Sequence, residues 1–163
     1  MNYKIVYDFL PRDEYLNLRN FLFSPTFPWY FHPEVVSYGD VTDANSHAFM
    51  HTFYDKHRIN SQFFECIETF LDKLDIKSLV RSKVNLYTST SELVEHKMHK
   101  DATFSMKGAI YYLNSNDGYT KLSNGNKIES VENSILLFDP STEHCSTNCT
   151  DEKARCTLIF NYF

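Results

Sequence analysis

The second half of the chain constrains the fold most. From Ser82 onward, β-rich segments of a few residues alternate with turns, at 83–88, 107–113, 119–122, 127–131, 134–138 and 156–163. Many short strands at regular spacing suit a double-sheet jelly roll. Asn124-Gly125 sits between two of these segments, 119–123 and 126–131, and predicts a two-residue hairpin turn with positive φ at both positions. The abundance of aromatics, 14 Phe and 11 Tyr, favours sheet over helix.

The first half reads differently. Residues 11–23 predict a helix, with Pro11 in its first turn and Leu16, Leu18, Phe21 and Leu22 forming an apolar stripe. Residues 61–74 predict a second helix, with Ser61 as cap and Phe63, Phe64, Ile67, Phe70 and Leu71 at helical spacing. Residues 29–37 and 48–54 predict strands. A length of 163 residues suits one domain. The expected arrangement is a mainly β jelly-roll core over 81–163, with 1–80 supplying helices and strands packed on one of its sheets.

Composition removes several function classes. Four glycines leave no Gly-rich phosphate loop. A net charge of -5 disfavours a broad nucleic-acid footprint. Cys66, Cys145, Cys149 and Cys156 form no C-x-x-C pair, so a zinc knuckle is not expected. No apolar run approaches the length of a membrane span, and residues 1–9 lack the pattern of a signal peptide. A cytoplasmic protein with reduced thiols and no membrane partner is the expectation.

One constellation carries chemistry. His99 and Asp101 flank Lys100, and on an extended segment side chains two apart share a face. Both can then reach one ion. His144, which follows the apolar segment 134–138 and a turn containing Pro140, is the best third ligand. Two histidines and a carboxylate on one side of a metal leave positions open, which suits Fe(II) that must take up O₂. A helical register would instead pair His96 with His99, and zinc would then be the candidate metal. His32, His47, His51 and His57 fall outside any such pattern, and His51 fits a strand facing the core.

The order of these segments resembles the 2-oxoglutarate/Fe(II) dioxygenases. The prolyl-hydroxylase-like branch is the nearest, and within it the small single-domain members encoded by marine bacteriophages. The motifs in order are HKD at 99–101, AIYYLN at 109–114, DGYT at 117–120, SILLFDP at 134–140, His144 and RCTLIFNYF at 155–163. The resemblance is looser over IVYDFLP at 5–11 and the first helix.

It implies that His99, Asp101 and His144 hold iron and that Arg155 grips the far carboxylate of the cosubstrate 2-oxoglutarate. A guanidinium fork suits that task. It further implies that Tyr112 donates to the same carboxylate and that Tyr87 faces the cosubstrate. Thr120 closes the DGYT turn. The segment 88–97 lacks the glycines common in prolyl hydroxylases, so substrate identity does not carry over.

The implied activity is hydroxylation of a substrate with O₂, releasing succinate and CO₂. A prolyl residue in a peptide or protein is the first-choice substrate and a small molecule the alternative. Two other readings stay open: a cupin-like metal enzyme that does not use 2-oxoglutarate, and a jelly-roll binding module without catalysis. Arg155 separates the first of these from the dioxygenase reading, because only a ketodiacid needs it.

Overall fold

The structure, a computed structural model, describes residues 2–35 and 47–163. The strands are β1 (Lys4–Val6), β2 (Tyr30–His32), β3 (Ala48–Asp55), β4 (Arg58–Ile59), β5 (Leu79–Thr88), β6 (Lys107–Tyr112), β7 (Asn116–Leu122), β8 (Lys127–Ser130), β9 (Ser134–Phe138), β10 (His144–Ser146) and β11 (Ala154–Tyr162). The helices are α1 (Arg12–Leu22) and α2 (Glu68–Lys73). A major sheet runs β1-β9-β6-β11-β5-β3-β2, with β4 also paired to β3. A minor sheet runs β10-β7-β8.

Residues 95–99 extend the minor sheet. Glu95 bridges Thr147, and His99 bridges His144 through backbone hydrogen bonds of 2.9 Å in both directions. Strands β5, β11, β6 and β9 thus face 95–99, β10, β7 and β8. This is the jelly roll expected from the sequence, and every strand pair in it is antiparallel.

The two-residue period sorts the major sheet into two faces. Val84, Ala109, Tyr111, Ile135, Leu158 and Phe160 join one buried cluster with Tyr15, Leu18 and Leu22 of α1 and Phe70 of α2. Their neighbours Ile110, Tyr112, Leu136 and Phe138 point the other way and pack on Leu122 and Ile128 of the minor sheet. The helices therefore cover one face, and the other is left to line the space between the sheets.

Helix α1 lies within the expected span, with Pro11 as its N-cap residue. Its buried stripe is Tyr15, Leu18 and Leu22, while Leu16 and Phe21 are only partly buried. The second helix differs from expectation. A 3-10 turn at Phe64–Ile67 precedes α2, and the Ser61 hydroxyl accepts from the Phe63 N–H at 3.0 Å. Ser61 is also bonded to His51 Nε2, so it serves β3 as well as the turn.

The Asn124-Gly125 turn is also corrected. The Gly125 N–H bonds to Leu122 O, Asn126 returns the chain to Leu122, and only Gly125 has positive φ, at 84°. That is a three-residue loop closed by a left-handed glycine. A turn with two positive-φ residues occurs elsewhere, at Lys56 and His57 between β3 and β4, where no Asn or Gly announces it. Strands β1, β4 and β10 were not expected, being too short to show a pattern. Residues 36 and 37, the end of the strand expected at 29–37, lie outside the described residues.

Asn133 joins the N-terminal segment to the sheet. Its Oδ1 accepts from the Leu10 N–H at 3.0 Å and the Tyr111 hydroxyl at 2.7 Å, and its Nδ2 donates to Leu10 O at 2.9 Å. It is buried and has φ 57°. Asn133→Ala is expected to destabilise the protein by about 2–4 kcal/mol, from stranded buried partners and a strained backbone. Asn133→Gly should relieve only the backbone part, about 1 kcal/mol. Urea denaturation of the three proteins measures both.

Candidate functional site

The bridge between His99 and His144 sets two imidazoles side by side, with ring centroids 4.6 Å apart. Two residues on, Asp101 brings its carboxylate to 3.5 Å from His99 Nε2. One ligand atom from each of His99, Asp101 and His144 lies within 4.8 Å of the others, so the three could hold one metal ion.

The surroundings orient each ligand. His99 Nδ1 lies 3.2 Å from Lys97 O, and His144 Nδ1 lies 3.0 Å from Thr142 O. A carbonyl only accepts, so each Nδ1 carries a hydrogen and each Nε2 is the nitrogen left to face an ion. Asp101 is held from both sides. Asn161 Nδ2 donates to Oδ2 at 3.0 Å, and Arg81 pairs with Oδ1 at 3.1 Å.

Burial pushes the Asp101 carboxyl up, but His99, Arg81, His144 and Asn161 outweigh it and hold the group well below the usual carboxylate range. Burial pushes the His144 imidazole down, against the pull of Asp101. Two imidazoles beside an ionised carboxylate are a donor set that suits a divalent ion. Sequence reasoning missed Arg81 and Asn161. They face Asp101 because they sit opposite one another on β5 and β11, a register no motif reports.

Arg155 lies at the other end of the same cavity, which is lined by the three candidate ligands together with Tyr87, Thr120, Ser146 and Arg155. Its side chain is fully buried. Nε donates to Ser130 Oγ at 2.7 Å, Nη1 to Thr147 O at 3.2 Å and Nη2 to Thr120 Oγ1 at 3.1 Å. The Tyr87 and Tyr112 rings flank it, with centroids 5.8 and 5.6 Å from the guanidinium carbon. Among the described residues no carboxylate pairs with it. Burial pushes its pKa down, yet a guanidinium stays protonated. The cavity therefore ends in a positive charge with no counter-ion among the described residues.

Tyr87 faces this cavity, and its hydroxyl receives the Asn85 amide at 3.0 Å. Tyr112 is not among the described residues that line it. Its hydroxyl donates to Thr120 Oγ1 at 3.0 Å, and Thr120 does line it. Thr120 Oγ1 thus accepts from both Tyr112 and Arg155, which leaves its own hydrogen to donate. The turn expected at DGYT is instead part of β7, with a register shift between Asn116 and Tyr119. Gly118 is required there because a Cβ would lie 2.3 Å from Asn148 O and 2.6 Å from Arg155 Cδ.

His96 is buried, with Nδ1 2.9 Å from Ser146 Oγ, and is not part of the three-residue cluster. His51 is buried on β3 between Pro28 O and Ser61 Oγ, as a core histidine. Cys145 is buried on β10, and all four cysteines are free.

An oxidoreductase of the 2OG-Fe(II) oxygenase family from Burkholderia pseudomallei superposes with a TM-score of 0.70 at 13% identity, covering 98% of this chain and 84% of that one. The fold is that of the 2OG-Fe(II) oxygenases. The viral collagen prolyl hydroxylase of Paramecium Bursaria Chlorella virus-1, solved with 2OG, gives 0.62 at 13% identity, with 99% and 95% covered. A Trichoplax adhaerens prolyl hydroxylase, solved with a hypoxia inducible factor peptide, gives 0.60 at 13% identity, with 99% and 83% covered. No family model and no curated protein matches the sequence. No helix among the described residues is long and apolar enough to cross a membrane.

Replacing His99, Asp101 or His144 by Ala is expected to abolish binding of one Fe(II) per chain, while far-ultraviolet circular dichroism stays unchanged. His96→Ala is expected to retain the metal. Anaerobic equilibrium dialysis measures this, and metal loss in His96→Ala with retention in His99→Ala would mean that the ligand set is wrong.

Proposed function

We propose that this chain is a 2-oxoglutarate/Fe(II)-dependent dioxygenase that hydroxylates its substrate and releases succinate and CO₂. The observation that carries this reading is the pairing, within one cavity, of a His-Asp-His cluster with a buried guanidinium that has no counter-ion among the described residues. A metal cluster alone fits many enzymes. An unpaired buried cation beside it fits a ligand that bridges the two.

In this reading His99, Asp101 and His144 hold Fe(II). Arg155 binds the far carboxylate of 2-oxoglutarate, Thr120 adds a hydroxyl donor, and Tyr112 orients Thr120. Tyr87 walls the cosubstrate and keeps water out. Arg81 and Asn161 fix the Asp101 carboxylate so that it presents its oxygens in one orientation. Bound there, Fe(II) with 2-oxoglutarate and O₂ supplies the oxidising power for C–H hydroxylation. The residues of the chain bind, orient and exclude water, and none acts as a nucleophile.

The whole chain serves as one dioxygenase domain, with 1–80 in support of the core at 81–163. A prolyl residue in a peptide is the first substrate to test, supported by the structural likeness to prolyl hydroxylases, one of them solved with a peptide. We place the activity in the cytoplasm, with no nucleic-acid partner.

The test is decarboxylation of labelled 2-oxoglutarate by wild type, Arg155→Met and Arg155→Lys. A charge-assisted hydrogen bond contributes about 1.5–3 kcal/mol. Arg155→Met should therefore raise the KM for 2-oxoglutarate by about 10- to 100-fold or more, with Fe(II) affinity little changed. Lysine should recover only part, because an ammonium cannot form the planar fork. An unchanged KM in Arg155→Met would favour a cupin-like enzyme that does not use this cosubstrate.

A further inference from the structure

The inner face of the major sheet does not end at the metal cavity. On β5, Lys83 and Asn85 line that cavity. Directly opposite them on β3 stand Thr52 and Met50. Paired residues on neighbouring antiparallel strands project to the same side, with strands about 4.8 Å apart. Met50 and Thr52 in turn line a second, open groove of about 630 Å³. The groove and the metal cavity thus lie one strand pair apart along the same sheet, with Met50 buried beside Tyr87 and Val35 between them. Lys83 stands at the junction, its Nζ resting 3.8 Å from Met50 Sδ.

The groove has a definite charge. Its far end is formed by the turn between β3 and β4, and carries Lys56, Arg58 and Asp55. With Lys83 at the near end, three cations face one carboxylate among the described residues. Among the described residues Lys56, Arg58 and Lys83 form no ion pair, although the chain as a whole carries -5. The turn holds Lys56 and His57 at φ 51° and 60°, a conformation that side-chain-bearing residues adopt at a cost, and it projects Lys56 and Arg58 beside the groove. Burial, and then Arg81, push the Lys83 ammonium down to about 8, while Asp101 and Asp55 pull the other way. At about 8 it stays mostly charged at neutral pH, and an arriving carboxylate would stabilise that charge. Tyr30, 58% exposed, also lines this groove and presents an aromatic face there.

We infer that this groove binds the substrate and selects an acidic peptide, with carboxylates meeting Lys83 near the metal and Lys56 and Arg58 at the far end. The inference rests on the proposed dioxygenase reading for its orientation toward the metal. The groove's charge and its place one strand pair from the cavity stand without it. Tyr30 offers its ring to an apolar residue lying between the acidic ones. An acidic protein surface would repel such a peptide elsewhere, so this patch supplies both attraction and register.

The test uses two fluorescein-labelled peptides of equal length, each with one central proline, flanked in one by glutamates and in the other by lysines. Fluorescence anisotropy with the full chain is expected to show the glutamate peptide binding at least about tenfold more tightly, and weakening as salt is raised. Lys56→Gln with Arg58→Gln alters only exposed residues, so the fold is not at risk, and should reduce that affinity about tenfold. Lys83→Met should reduce it as well. Equal or tighter binding of the lysine peptide, binding of neither peptide, or unchanged affinity in both variants would each overturn the inference. Anaerobic Fe(II) and 2-oxoglutarate binding, measured on the same wild-type sample, separates the two readings. Its absence alongside glutamate-peptide binding would remove the dioxygenase reading and leave the groove.

Discussion

A fully buried arginine with no acidic partner among the described residues is the constraint on which the rest of the site depends. Ionised groups are rarely buried without compensation, because desolvation costs several kcal/mol per ion. Here Ser130, Thr120 and the Thr147 carbonyl engage part of the Arg155 fork, and two aromatic rings flank it. These contacts come from β8, β7 and the segment after β10, so the minor sheet closes over the guanidinium as it sits on the major one. Gly118 lets that closure happen, since any larger residue would collide with the Arg155 side chain. The same pairing of sheets brings His99 against His144. Cation and metal cluster are thus set at a fixed separation by the architecture itself.

The major sheet divides its labour by face. Helices α1 and α2 bury apolar residues against one side, which frees the other side for polar groups. On β11, Arg155, Thr157, Ile159 and Asn161 look inward, while Leu158 and Phe160 look toward the helices. On β5 the inward residues are Arg81, Lys83, Asn85 and Tyr87. Such polar content on two central strands would be destabilising in an ordinary sandwich core. It is tolerated here because the inward face lines a cavity and its members bond to one another.

Much of this was legible in the sequence. The H-x-D spacing works on an extended segment because alternate side chains share a face, and Lys100 between them is exposed. The jelly roll followed from segment length and turn frequency. What stayed hidden depends on register. Arg81 and Asn161 meet Asp101 only because β5 and β11 pair in one alignment. Thr120 joins the cavity because β7 packs across from β11. The 61–74 segment kept its helical spacing of apolar residues yet begins as a 3-10 turn, where Ser61 is drawn toward His51 by tertiary contact. The Asn-Gly signal misled in its detail: a type I turn with glycine as the left-handed third residue satisfies the same hairpin.

The central claim is that the His-Asp-His cluster and the Arg155 charge in one cavity together specify a ketoacid with a second carboxylate. Anaerobic titration of the Fe(II)-loaded protein with 2-oxoglutarate and with 2-oxobutyrate, followed by the visible metal-to-ligand charge-transfer band, tests it most directly. Both offer the same group to the metal, and only one offers a carboxylate to the guanidinium. The account predicts at least about tenfold tighter binding of 2-oxoglutarate, in line with one charge-assisted hydrogen bond. Equal affinities for the two acids would contradict it.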